Sequence, residues 1–434
     1  MRAREIVLLI LIVALGIIFY HAQTGKIFLD WEWGDGIYFG QEEFLYETSE
    51  TLSPPLPSRL SLINAHGDVE IQGKDQDFIL VTFEERIYRR RQKQADEVAR
   101  DLKMLVQKEG EQIKISTNRE SFSRRRFRTN FRLIVPQDLE VEIRNSYGEV
   151  RIAEIKTAKI KNAHGDVIAH SIIGPLDVEN SYRDVEVEDI QGNCRIRTRN
   201  SHVSASRISE TFEIVHRYGK VYLSELTQGA SVEGSHTEVT AQNIRGHLRL
   251  RTSYRTVDLR DVGRVTLRTR NSRVDISGAQ GSMDIESSYG KVRLENIKGS
   301  TTIRGKNLDI YGNSIIGDRI SITTSYRKVE LAQFQGHTQI HISHGKAELS
   351  PLPLTHPIEV SGRYADIAFL WPGTERFPLE ARTKGGEISW KMLGQPIQEE
   401  SDGFHAIKAF SREEGKPRIA LSTTYGTIRI EEGT

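Results

Sequence analysis

The sequence predicts a mainly β protein: a parallel β-helix, or solenoid, of coils of about 18 residues, preceded by a small α/β segment and an N-terminal transmembrane helix. Three observations predict it. A short turn, Asn/Thr/Ser-Ser-Tyr/His-Gly/Arg followed by a charged residue and Val, recurs in most coils, with deviations such as GKNLDI around Asn307, which lacks the Tyr or His. Longer stretches repeat at a spacing of about 72 residues: Tyr147, Tyr218 and Tyr289 sit in SYGEV, RYGKV and SYGKV, while Tyr182, Tyr254 and Tyr326 sit in SYRDV, SYRTV and SYRKV. Val, Ile and Leu alternate with polar residues on both sides of each turn, so one face of every strand points inward. A fixed period of this kind means one supersecondary unit stacked many times. The rival is a propeller with four-stranded blades of about 36 residues. A blade would distinguish inner from outer hairpins. Here the turn keeps its residue types at every step of the shorter period, which favours the solenoid.

The chain opens on MRARE and an apolar run, Ile6 to Tyr20. Positive charges before such a run hold the N-terminus in the cytoplasm and send the rest across the membrane. Residues 1–22 therefore read as a signal anchor. A cleaved signal peptide is the alternative, because about 22 Å of helix is short for a membrane core of about 30 Å. Tyr20 makes a poor cleavage site. Residues 23–57 form an aromatic juxtamembrane segment with Phe28, Trp31, Trp33, Tyr38 and Phe39, closed by SPPLP. Residues 58–136 hold a first rung, RLSLINAHGDVEIQG, and an amphipathic helix. Ala95, Val98, Ala99, Leu102, Leu105 and Val106 recur at three and four, so the helix should run from Gln92 to Glu109 and stop at Gly110. Residues 137–370 are the solenoid proper, with three internal repeats of about 72 residues and second corners often containing Gly (Gly192, Gly246, Gly281, Gly299, Gly336). Residues 371–434 are irregular C-terminal rungs interrupted by a polar insertion at 391–418. The chain ends on a rung followed by Glu431 and Glu432, charges that discourage edge-to-edge pairing.

Composition narrows the function. The net charge is +1, so no global field steers the chain to nucleic acid. The single cysteine, Cys194, rules out an intramolecular disulfide framework and reads as a small buried apolar group. Stacked coils turn the third turn position into a column along one corner: Tyr147, His164, Tyr182, His202, Tyr218, His236, Tyr254, Arg273 and Tyr289, with Tyr326 and His344 further on. Neighbouring rings at about 4.8 Å can stack. Asn145, Asn162, Asn180 and Asn200 form a parallel run two positions earlier, suited to bonding the next coil.

The histidines of that column lie two coils apart, about 9.6 Å. They cannot share a zinc ion whose ligands sit about 2 Å away. Asp184, Glu186 and Glu188 share an outer face, but without the GGxGxD repeat of calcium-binding β-helices they read as a solvated face. No carboxylate pair stands out as a general acid and base. A Ser-Tyr/His dipeptide in every turn is corner chemistry, where a catalytic Ser and His would occur once. The chain thus reads as a non-enzyme with no metal and no cofactor. Two basic clusters remain: Arg86, Arg89, Arg90, Arg91 and Lys93, then Arg124, Arg125, Arg126 and Arg128. They flank the helix. Arg89, Arg90, Arg91, Arg124, Arg125 and Arg126 are the candidate anion site, for lipid head groups or a polyanionic glycan.

Taken in order, NAHGDVEI at Asn64, the helix from Gln92, FRLIVPQDLEVEIRNSYGEVRI and TTYGTIRI at Thr423 resemble the bacterial putative-adhesin family of β-strand repeat proteins. The likeness runs from about Phe44 to the C-terminus. It implies a β-helical, extracytoplasmic domain, often membrane-anchored, of unknown function and without catalytic residues to carry over. The chain departs from the family by placing Arg183, Val203, Thr237, Arg255 and Arg327 where the turn glycine is expected. The resulting expectation is a single-pass protein of the bacterial cytoplasmic membrane whose C-terminal domain is outside. Its role there is structural, adhesive or ligand-binding, with an envelope glycan or a protein as partner. The alternatives are a polysaccharide-active enzyme on the same scaffold and a sensory partner in envelope stress.

Overall fold

The computed structural model describes residues 27–28, 38–39, 42–123, 125–401, 403–410 and 415–432. It divides into two compact units, Met1–Ile173 and Gly174–Thr434. The anchor expected at 1–22 lies outside the described residues, as do Trp31 and Trp33. Among the described residues no helix is long and apolar enough to cross a membrane.

The first unit stacks its coils in parallel, but not in chain order. Arg59–Ile63 pairs in parallel with Gln112–Thr117 on one side and with Glu140–Arg144 on the other. Val69–Lys74 likewise lies between Phe127–Pro136 and Val150–Ala153. The first coil of the chain is therefore interior. Beyond it the outer coil is covered by antiparallel strands: Ile79–Arg89 on Phe127–Pro136, Glu42–Leu52 on Ile79–Arg89, and Met104–Glu109 on Gln112–Thr117. Antiparallel cover closes an edge that would otherwise template pairing with another chain.

The helix is shorter than its apolar spacing suggests, ending at Asp101. Leu102 is extended and buried, and Met104–Glu109 is a strand carrying Leu105 and Val106. Gly110, at φ +60, sits in the tight hairpin turn between Glu109 and Gln112. The hairpin's backbone pairing wins over the helical spacing of Leu105 and Val106. The helix packs on the cover strands through buried Ala95, and Asp96 accepts a 2.7 Å bond from the Tyr46 hydroxyl.

In the second unit successive coils pair in parallel and in register, as in Val203↔Val221↔Val239. This is the solenoid, and it excludes sequentially antiparallel propeller hairpins. Inward positions form columns of graded size: Leu223 lies beside Ala205 and Ala241, and Phe212 beside Cys194 and Ala230, all buried. Neighbours of complementary volume interdigitate in the narrow interior. Cys194 is thus a small core residue, and burial pushes its thiol far up.

Strands are much longer than the short runs the alternation suggests. Gly229–Ser253 and Thr301–Ser325 each run 25 residues, passing through corners. The reason is a left-handed residue at the corners inside them: His236 (φ 54) and Asn243 (φ 56) in the first, Asn307 (φ 52) and Ser314 (φ 54) in the second. Such a residue turns the chain while its N–H can still bond the next coil, as where two strands meet: Tyr254 (φ 63) bonds the Arg270 carbonyl at 2.9 Å and Asn271 (φ 53) that of Ser288 at 2.8 Å. The second corner does the same with Asp189, Arg207, Glu225, Asn243 and Asp261, spaced evenly at φ 51–57. The glycines expected to mark that corner fall after these residues instead.

The coil at 419–432 is interior too. Ile419–Thr424 pairs in parallel with Ile358–Arg363 on one side and Leu379–Lys384 on the other. The expectation of a terminal rung protected by Glu431 and Glu432 is corrected. The insertion supplies the cover, with Phe404–Ala409 antiparallel on Leu379–Lys384 and Ile397–Ser401 beyond it. Trp371, Phe377 and Phe410 pack together there, and the Trp371 indole donates to the Glu375 carbonyl at 2.8 Å.

Close stacking sets one sharp limit. Gly148 has φ +115, and a Cβ there would lie 2.3 Å from the Gly67 carbonyl oxygen of the neighbouring coil. Gly148→Ala is expected to destabilise the first unit by about 2 kcal/mol or more, read as a lower denaturation midpoint of the full chain.

Candidate functional site

The corner column exists and is built from the backbone outward. In the first unit His66, Tyr147 and His164 stack, with ring centroids 4.4 and 4.6 Å apart and planes within 8°. His66 is a member that the sequence analysis missed. Behind the rings, Asn64, Asn145 and Asn162 are buried and clip the coils together. Asn145 Nδ2 donates to the carbonyls of Gly67 (3.1 Å) and Gly148 (3.2 Å), and Asn162 Nδ2 to those of Gly148 and Gly165 (3.0 Å each).

In the second unit the register places Tyr182, Asn200, Tyr218, His236, Tyr254, Asn271, Tyr289, Asn307, Tyr326, His344, Tyr364 and Tyr425 at one corner position. His236 is held between Tyr218 and Tyr254 at 5.0 and 4.8 Å. Tyr326, His344, Tyr364 and Tyr425 form a continuous stack at 4.8–5.1 Å. Tyr182 is covered by the Arg199 guanidinium at 5.3 Å. The tyrosines are 45–58% exposed, so their rings rim a solvent-facing ridge.

Two predicted members are corrected. His202 and Arg273 are displaced by Asn200 and Asn271, two residues earlier, which take the left-handed conformation that asparagine tolerates. His202 instead lies on the outer strand face, with its ring and N–H on Asp184 at 3.2 and 2.8 Å. Asn200 consequently leaves the inner asparagine run. Thr198 takes that place, bonded to Ser201 at 2.8 Å.

Of the arginine candidates, Arg89 donates to the carbonyls of Tyr88 (2.7 Å) and Arg126 (3.0 Å), which brings the two basic segments together. Arg90, Arg91, Arg125 and Arg126 are exposed. Arg125 pairs with Glu120 at 2.5 Å. Arg124 lies outside the described residues. Arg119, missed in the sequence, anchors this loop. It is buried, stands 4.5 Å over the Phe127 ring, and donates to the Phe127 carbonyl at 2.9 Å. Glu188, read with Asp184 and Glu186 as a solvated acidic face, and its neighbour Asp189 both accept from Arg207.

The first unit also has a cavity of about 230 Å³ on its outer sheet face, lined by Asp68, Glu84, Arg86, Asn130, Glu149 and Arg151 among others. Two of its carboxyls are driven apart. Burial pushes Glu149 up, helped by the charges of Asp68 and Asp166 and opposed by Arg151. Burial would raise Glu84 as well, but bonds from Arg86 (2.6 Å) and Asn130 (2.8 Å) hold it below the usual range.

His216 occupies the inner corner position of the second unit and is fully buried. Its Nε2 donates to the Ser201 carbonyl at 3.1 Å, so Nδ1, 2.8 Å from the Thr237 hydroxyl, is left to accept. Burial lowers its pKa. The unfolded chain takes up a proton near pH 6.5 that the folded state resists, so this group costs stability as pH falls through about 6.5. Burial raises Glu85 to about 7, which acts in the opposite sense: its contribution to stability grows as pH falls from 7 toward 4.5. His216→Thr, the residue at the equivalent Thr198 and Thr252, isolates the histidine. The loss of Tm between pH 7.5 and 5.5 is expected to be smaller in the variant than in the parent.

The profile of the family described as Toastrack DUF4097 matches residues 58–431. No curated protein matches the chain. Among solved structures, one described as a putative cell adhesion protein from Clostridium sporogenes ATCC 15579 aligns over 90% of this chain and 100% of its own. Its identity is 9% and its TM-score 0.16, too slight a likeness to carry an argument. The family match spans most of the sequence, its repeats and its interior first coil alike: the chain belongs to the Toastrack DUF4097 family.

Proposed function

We propose that this chain is a membrane-anchored, extracytoplasmic binding protein of the bacterial envelope, holding a glycan polymer along the tyrosine ridge of its second unit. The observation that carries this reading is the ridge itself. A row of large half-exposed rings at regular spacing is a contiguous apolar surface that suits a repetitive ligand. The N-terminal charge pattern and apolar run support an anchor with the solenoid outside. The exposed arginines at 90, 91, 125 and 126 favour an anionic surface or polymer as a second contact. Binding rather than catalysis fits a wall whose outward charges are mostly paired across neighbouring strands, as in Arg304–Asp284 and Arg195–Glu213.

The test is co-sedimentation of the full chain with purified envelope polysaccharide. Tyr254→Ala/Tyr289→Ala/Tyr326→Ala is expected to weaken binding about tenfold or more. Equal retention of the variant and the parent would discard the ridge as the contact.

A hydrolytic reading has one specific observation in its favour. Glu84 and Glu149 line one cavity and have their pKa values pushed in opposite directions, the pattern of a base and an acid. On that reading the full chain releases reducing ends from the polysaccharide, and Glu149→Gln abolishes the release. Absence of any release by the parent chain removes it.

A further inference from the structure

Three positions of the corner column carry asparagine where their neighbours carry rings. Asn271 stands between Tyr254 and Tyr289, and Asn307 between Tyr289 and Tyr326. Asn200 is the third, and there Arg199 already covers Tyr182. The column itself shows what such a place accommodates. At His236 and at His344 one ring sits between two others, with centroids 4.8–5.1 Å away on each side. A short amide in place of that ring leaves the outer part of the space open, between tyrosine faces two coils, or roughly 10 Å, apart.

The walls are available. Tyr254, Tyr289 and Tyr326 are 52, 58 and 56% exposed. Tyr289 has no ring or cation stacked on either face among the described residues, unlike the ladder tyrosines on both sides. The floor is polar. The side-chain amides of Asn271 and Asn307 make no hydrogen bond among the described residues, and each offers a donor pair and an acceptor.

We propose that the gaps over Asn271 and Asn307 are two ring-binding slots, each taking the terminal pyranose of an envelope glycan. A flat ring centred in such a gap lies about 5 Å from each wall, beyond the ~3.5–4.0 Å of optimal carbon contact unless it is offset. The thicker chair of a pyranose presents axial C–H bonds to both walls at once, and its ring-edge hydroxyls meet the asparagine amide. A ring inserted edge-on lies across the stack. A polymer therefore cannot thread both slots along the column, and the slots select chain ends or branches. This deepens the glycan-binding reading given above and rests on it.

The test uses the column's own filler. Asn271→His/Asn307→His would complete the ladder, since His236 and His344 already occupy the same left-handed conformation (φ 54 and 53, against 53 and 52 for the asparagines). Parent and variant full chains are compared on an array of oligosaccharides ending in glucose, galactose, mannose or N-acetylglucosamine, with tyrosine- and tryptophan-rich peptides alongside. The filled variant is expected to melt higher and to lose about tenfold or more in affinity for the preferred terminus. Tyr289→Ala, which removes the wall shared by both slots without filling them, is expected to lose the same affinity. A filled variant that melts higher yet binds glycans as the parent does would overturn the slots while leaving the ridge reading intact. Preferential capture of the aromatic peptides would overturn the sugar assignment. A parent chain that binds no glycan would overturn both readings.

Discussion

Everything in this protein depends on corners that turn without breaking the ladder. From Asn200 onward most coils turn at left-handed residues, and such residues keep donating to the coil alongside. Tyr364 bonds the Thr424 carbonyl at 2.7 Å from φ 51, and Gln333 bonds that of Ser350 at 2.8 Å from the same φ. Left-handed backbone costs about 1–2 kcal/mol for each residue other than glycine. The stack offsets this with an unbroken row of hydrogen bonds and a filled interior. The cost also explains the residue types. Asparagine and aspartate recur at these corners because their side chains tolerate the conformation. Tyrosine and histidine recur at one corner because stacking on the next coil compensates them.

That corner is therefore structural before it is functional, and the two roles pull against each other. Where the ladder is continuous, at Tyr326 to Tyr425, ring faces are occupied by one another. Where asparagine interrupts it, faces are released. The behaviour of the ridge toward a ligand is set by its interruptions more than by its rings. The outer strand faces contribute little stability by comparison, because their many ion pairs are exposed and of small individual worth.

Much of this was legible in the sequence. The coil is readable because alternation of Val, Ile and Leu fixes strand register to a period of two, as in Val203, Val221 and Val239. The column is misread where spelling takes precedence over spacing. NSH resembles NSY, which aligns His202 with Tyr182 and leaves unequal steps on its two sides, to Tyr182 and to Tyr218. Asn200 divides that interval evenly, and the evenness was the available signal. The helix is overrun because Leu105 and Val106 continue its period, while the pairing that makes them a strand leaves no mark in that period. The interior position of the first coil had no signal at all. NAHGDV occurs at Asn64 and again at Asn162, and the same words serve whichever coils lie on either side.

The interior placement of the last coil has a consequence for assembly. Residues 419–432 are made after the coil at 379–391, which among the described residues has no parallel partner until they arrive. Completion of this part must wait for that segment to be threaded between two strands already synthesised. A chain lacking that segment would not simply be one turn shorter. It would hold an open seam with unpaired backbone on both lips, flanked by apolar positions spaced for an alternating strand. Such a seam accepts any extended segment of matching pattern, including the same segment from a second chain.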